Sequence, residues 1–297
     1  MSLLSSLGAL ELGFIYSLVA IGVFITFRIL NFPDLTVDGT FATGGAVAAV
    51  MISQHYDPFV ATLCAMLVCA LAGSITAILN VKFGIMDLLA SILMMTALYS
   101  VNLRIMGAPN IPLIIEDTVF TLTQPSALDD MYWRPLFLLL TVVLLTVLVY
   151  VYYLTRSGLA MRATGTNLRM ARAQGVNTDN MVIMGMAISN ALVGAGGALF
   201  VQSQGGADIS MGIGTIVIGL AAVILGQSVL GARRFGWTLL AVIIGAIAYR
   251  FFIAIALNSD FIGLQAQDLN LVTAILVTLA LVLPKLKNKL FKGKPHA

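Results

Sequence analysis

NFPDLTVDGTFATGGAVAAV, residues 31–50, is the stretch that decides the fold class. Its second half is apolar and suited to lipid, but its head carries Pro33, Asp34, Asp38 and Gly39 at a depth where an unbroken, lipid-exposed helix is apolar. It reads as a broken or re-entrant helix. A second stretch repeats the pattern. In SQGGADISMGIGTIVIGLAAVIL, residues 203–225, Gly205, Gly206, Asp208, Gly212 and Gly214 precede an apolar run. Slid by 174 positions without a gap, the two match at Asp34/Asp208, Gly45/Gly219 and Ala48/Ala222, with Thr36 against Ser210. The same shift pairs Leu18/Leu192, Val19/Val193 and Gly22/Gly196 in the preceding apolar runs, as expected of an internal duplication.

Working outward, apolar windows of spanning length run roughly Leu7–Phe27, Leu30–Ile52, Pro58–Asn80, Gly84–Leu103, Pro135–Leu154, Asp179–Gln202, Gly205–Leu230, Gly236–Leu257 and Leu269–Leu283. The predicted fold is therefore an all-α, polytopic membrane protein of about nine spans forming a single domain. A mean hydropathy of +1.01 agrees. So does a charged fraction of 10%, where soluble chains carry about a quarter. The first window lacks the basic lead and small-residue cleavage site of a signal peptide and is expected to stay in the mature chain.

Charge placement sets the orientation. With the N-terminus outside, thirteen of the sixteen Lys and Arg fall on the cytoplasmic side, leaving only Arg104, Arg134 and Arg250 toward the other face. The first span then runs inward and the sixth outward. The expected organisation is two inverted four-span repeats, about 7–103 and 179–284, around a central span at 135–154. An outer loop at 104–134 carries a surface helix around Ile114–Leu122, and a basic tail occupies 285–297.

The remaining cytoplasmic segment, TRSGLAMRATGTNLRMARAQGVNT at 155–178, holds four arginines and no acid. Asn167 is placed to cap a short helix over Leu168–Gln174, and Gly175 stands where a left-handed residue ends it. Leu168 and Met170 among Arg162, Arg169 and Arg172 make a surface fit for a partner's groove; a plain retention loop is the other reading.

Ionisable groups inside spans face protein or water, so Asp34, Asp38 and Asp208 qualify as pathway candidates, with Glu11 and Asp87 behind them. Asp34 and Asp208 equally fit caps on the broken helices. Asp38, with Thr36, Thr40 and Thr43 nearby, is the better candidate for lining a path, joined by Ser210, Asn190 and Gln202. Cys64 and Cys69 share one apolar run, and His55 and His296 have no second ligand at metal spacing, so neither a disulfide nor a metal site is expected. No Lys precedes Ser or Thr, which excludes the phosphate loop of an ATPase, and no hydrolase motif is present. An enzyme has no site here. Two classes remain, the membrane half of a multi-subunit pump and an ion- or proton-coupled transporter using the intramembrane Asp residues.

ARAQGVNTDNM from Ala171, with RSGLAMRATGTN from Arg156, resembles the cytoplasmic coupling loop of permease subunits in ABC importers of the branched-chain amino acid type. The likeness extends through NFPDLTVDG, the glycine-rich seventh span and the LVLPKL ending from Leu281. Asn31, Phe32, Pro33 and Asp34 depart from the Asn-Phe-Ala-His-Gly of leucine-type permeases and resemble the subgroup linked to tryptophan or tyrosine uptake. The resemblance implies a bacterial inner-membrane subunit. It also implies a second permease copy, ATPase subunits that bind ATP and Mg2+, and an extracytoplasmic binding protein delivering a small solute such as an aromatic or other neutral amino acid. No cofactor of the chain's own and no nucleic acid are expected.

Overall fold

A computed structural model describes residues 3–125, 129–230 and 234–257, with Thr278 beyond them. Among the described residues, helices form within each of the apolar windows. In order they are α1 (Leu3–Val23), prolonged by a π-helical turn (Phe24–Ile29), α2 (Thr36–Ser53), α3 (Pro58–Val81), α4 (Asp87–Met106), α5 (Val119–Thr123), α6 (Asp130–Leu154), α7 (Arg156–Thr166), α8 (Leu168–Ala173), α9 (Thr178–Gln204), α10 (Thr215–Leu230) and α11 (Phe235–Leu257). Starts are set by local chemistry. Asp57 accepts hydrogen bonds from the free amides of Phe59 and Val60 while Pro58, which needs no amide partner, opens α3.

Among the described residues, six helices are long and apolar enough to cross a membrane: Leu4–Ile29, Pro58–Val81, Asp87–Met106, Asp130–Leu154, Thr178–Gln204 and Phe235–Ala256. The chain is a multi-pass membrane protein. The windows opening at Leu30 and Gly205 yield only α2 and the shorter, apolar α10, each starting after an irregular lead, as expected of broken helices. The ninth window, Leu269–Leu283, the basic tail at 285–297 and Arg233 lie outside the described residues.

The all-α class holds, with one small exception: β1 (Asn110–Pro112) pairs antiparallel with β2 (Gly206–Asp208), tying the 104–134 segment to the lead of α10. Two more backbone bonds, Leu113 N–H to Gly205 O (2.8 Å) and Ile209 N–H to Pro109 O (3.0 Å), extend the ladder. The outer surface helix is α5, starting at a Thr118/Thr121 capping box rather than at Ile114; apolar residues at 114–115 mark exposure here, not a helix face. The 155–178 segment carries two helices, because Thr155 caps a first one, α7, before Asn167 caps α8.

The core gathers on α1 and α9, whose most apolar windows are 78% and 72% buried, against 33% or less for α3, α4 and α6, which leave many of their Leu and Val exposed on the outside of the bundle. Missing side chains let backbones meet. A Cβ on Gly22 would strike Ser189 O and Val193, and one on Gly196 would approach Ile15 O and Val19. The second contact is the first carried through the same 174-residue offset, and rising numbers on α1 meet falling numbers on α9, so the two helices run antiparallel. Gly45 against Gly197 and Gly219 against Val23 are related in the same way.

In the 155–178 segment, α7 lies against the turn that follows α1, because Gly165 leaves room for the Ile29 carbonyl. Gly165→Val fills that space and is expected to destabilise the protein by about 1–3 kcal/mol through overpacking. A thermal-stability comparison of the purified proteins reads this, and an unchanged midpoint would show that α7 is not seated there.

Candidate functional site

The lead of α2 is extended after Asn31, whose φ of 56° turns the chain back from the end of the π-helical turn. This brings Asp34 into the interior, 2% exposed. One of its carboxylate oxygens accepts the Thr36 amide (2.9 Å) and the other accepts Asn190 Nδ2 (2.9 Å) from α9. Asn190 Oδ1 accepts the Thr40 hydroxyl (2.8 Å), and Thr36 shares a hydrogen bond with Thr76 of α3 (3.1 Å). A buried carboxylate is tolerated only when hydrogen-bonded. Asp34, Thr36, Thr40, Thr76 and Asn190 therefore form one hydrogen-bonded network joining three helices, α2, α3 and α9.

Asp38 crosses to the other break. Its carboxylate accepts the amides of Gly214 (3.1 Å) and Ile216 (2.8 Å), so the first broken helix caps the second. Gly212 permits the approach, since a Cβ there would strike the Asp38 carbonyl. Asp208 does not cap α10; it accepts the amide (2.7 Å) and hydroxyl of Ser210 in a local turn. Gln202 also serves structure, as its Oε1 accepts the Val119 amide (2.9 Å) and its Nε2 donates to Thr62 (3.0 Å), holding α5 down on the bundle. Glu11 accepts from Ser203 (2.6 Å) and Asp87 from Asn80 (2.5 Å).

Beside Asp38 lies a cavity of about 350 Å³, walled by α2, α4 and residues 209–213, with Asp38, Met95, Thr96, Tyr99, Asn102 and Ile213 among its lining. It opens sideways past the exposed side chains of Tyr99 and Ile213. Asn102, 1% exposed, has no partner for its Oδ1. A lone amide in an apolar window was the signal available for Asn102 in sequence; nothing local marked Tyr99. No three His, Cys, Asp or Glu come together at metal-binding distance among the described residues.

Between α7 and α9, α8 is built as its caps dictate. Asn167 Oδ1 accepts the Met170 amide (3.1 Å), and Gly175 has a φ of 81°. Ala171 packs inward, leaving Leu168 46% and Met170 62% exposed. The arginines divide. Arg162 lies over the Phe235 ring (5.1 Å) and Arg172 pairs with Asp179 (2.9 Å) and Thr178, while Arg169 makes no ion pair or hydrogen bond among the described residues.

Residues 6–283 match the family model described as Branched-chain amino acid transport system / permease component. The chain is similar to a "Tyrosine transport system permease protein" of Clostridioides difficile (strain R20291), at 37% identity over 89% of this chain and 85% of that one. It is also similar to "Ribose import permease protein RbsC" of Escherichia coli (strain K12), at 24% identity over 86% of this chain and 77% of that one. No solved structure matches it.

Proposed function

Because this chain belongs to the permease family of branched-chain amino acid transport systems, whose members are membrane subunits of ABC transporters and not themselves enzymes, we propose that it forms the translocation pathway of an importer for a small solute, an aromatic or other neutral amino acid, delivered by a binding protein. The observation that carries this reading is α8, a capped helix outside the bundle offering Leu168 and Met170. An isolated soluble surface has no use for such a patch, whereas an ATPase groove does. ATP and Mg2+ belong to that separate subunit.

The finer architecture is part of the proposal. Two inverted repeats around α6 are supported by the antiparallel pairing of α1 with α9 and by contacts that recur at one offset; nine spans and an outer N-terminus rest on the apolar windows and the Lys/Arg bias of the sequence. A second copy is supported by the sideways cavity. A carboxylate such as Asp38 near an opening into hydrocarbon is costly, and two copies facing each other across Tyr99 and Ile213 would remove that exposure and enclose a shared path. An aromatic amino acid is the leading solute, supported by the name of the Clostridioides relative.

Uptake by proteoliposomes holding the permease, its ATPase and its binding protein tests the reading. Accumulation of tyrosine or tryptophan is expected to require internal ATP and the binding protein, and to survive an uncoupler. Uptake that collapses with an uncoupler while ATP is maintained would instead establish an ion-coupled transporter. Tight calorimetric binding of a dicarboxylic or phosphorylated solute alone would keep the ABC reading and overturn the substrate.

A further inference from the structure

A second cavity, also about 350 Å³, opens between α6 and α11 on the side that carries α7 and α8. Its apolar floor is Val147, Leu239 and Leu240, and its rim is Tyr150, Arg234 and Trp237. Arg234 makes no ion pair among the described residues and its side chain is exposed. Trp237 and Tyr150 present their rings outward at the end of a span, the position where amphipathic aromatics meet lipid headgroups. Gly236 keeps the floor open, since a Cβ there would press on the Tyr150 ring. A cation at the membrane boundary, two interfacial aromatics and an apolar slot beneath them match the three parts of one ligand: a phosphate, a glycerol backbone and an acyl chain.

We infer that this crevice binds an anionic phospholipid, with Arg234 meeting the headgroup phosphate and the slot between α6 and α11 taking one acyl chain. The site adjoins the coupling segment. Tyr150 stacks on Phe235 (6.3 Å between ring centres), and Phe235 carries the Arg162 guanidinium of α7 on its face. Lipid occupancy therefore supports the ring that seats α7, linking membrane composition to the helix pair expected to meet the ATPase.

Trp133 and Trp237 are the two tryptophans of the chain, so Trp133→Phe leaves Trp237 as a single reporter at the crevice. The test is quenching of Trp237 in nanodiscs by phosphatidylglycerol or phosphatidylcholine brominated on the acyl chain, at equal mole fraction. One favourably placed arginine predicts a preference of about fivefold for the anionic lipid. Arg234→Gln is expected to abolish that preference and Arg234→Lys to retain it. Equal quenching by the two lipids, or a preference undiminished in Arg234→Gln, would overturn the assignment. Inorganic phosphate added to the buffer should not displace the lipid; displacement would also overturn it, making the site one for a soluble anion. None of these readouts uses transport.

Discussion

Met170→Asp is expected to uncouple the permease from its ATPase while leaving the membrane bundle intact. Met170 is the most exposed apolar side chain on α8, its amide is already held by Asn167, and no neighbour inside the chain depends on its thioether. Its loss should therefore be silent in the isolated subunit. In a groove the same change removes an anchor and buries a charge, and losing such an anchor costs about 2 kcal/mol or more, or at least about thirtyfold in association. Co-purification of the ATPase and ATP-dependent uptake should fall together, with unaltered thermal stability of the permease alone. Arg162→Ala should act differently, since that guanidinium stacks on Phe235 and faces the fold. Its effect is expected to be smaller and to show in the stability of the isolated subunit. Full ATPase association by Met170→Asp would refute the docking role of α8.

Asn190→Leu is expected to have the largest effect on folding. It leaves one oxygen of Asp34 without its Nδ2 donor and the Thr40 hydroxyl without its side-chain acceptor, so that hydroxyl falls back on the Thr36 and Val37 carbonyls (3.2 and 3.3 Å). Hydrogen bonds to a buried charged group are worth about 1.5–3 kcal/mol, and the stranded carboxylate adds its desolvation cost. Asp34→Asn keeps the shape and one of the two bonds, since its single oxygen can accept the Thr36 amide or Asn190 Nδ2 where its NH2 cannot, and should cost less. The double variant Asp34→Leu with Asn190→Leu should recover part of the loss, because no polar partner is then left alone. Thermal denaturation of the wild type, Asp34→Asn, the two single Leu variants and their double in one detergent decides it. Additive losses in the double variant would mean that the two side chains do not act as a pair.

Much of this protein was legible from short-range rules. Span positions follow from runs of apolar residues, because lipid demands a continuous apolar surface and internally satisfied backbone. The two breaks were visible because Pro33, Asp34 and the glycines at 205, 206, 212 and 214 cannot continue such a helix. Asn167, Gly175 and the α8 between them were readable because a cap and its helix lie within one turn. The second helix, α7, was overlooked although Thr155 is its cap; Gly158 and Gly165, which suit close packing, lower its intrinsic helix propensity.

What the tertiary structure alone decided was partnership. Asp38, a candidate path-lining acid that does line the cavity beside α4, has a carboxylate that also caps a helix 176 residues away. Gln202, a candidate lumen group, has an amide that holds α5. Asp34 caps its own helix, whereas Asp208, its match in sequence, closes only a local turn. The physical reason is the same in each case. A side chain's chemistry is fixed by its own residue type, but a buried polar atom takes whichever donor or acceptor the packing of distant helices brings within about 3 Å, and that distance is written nowhere in the local sequence.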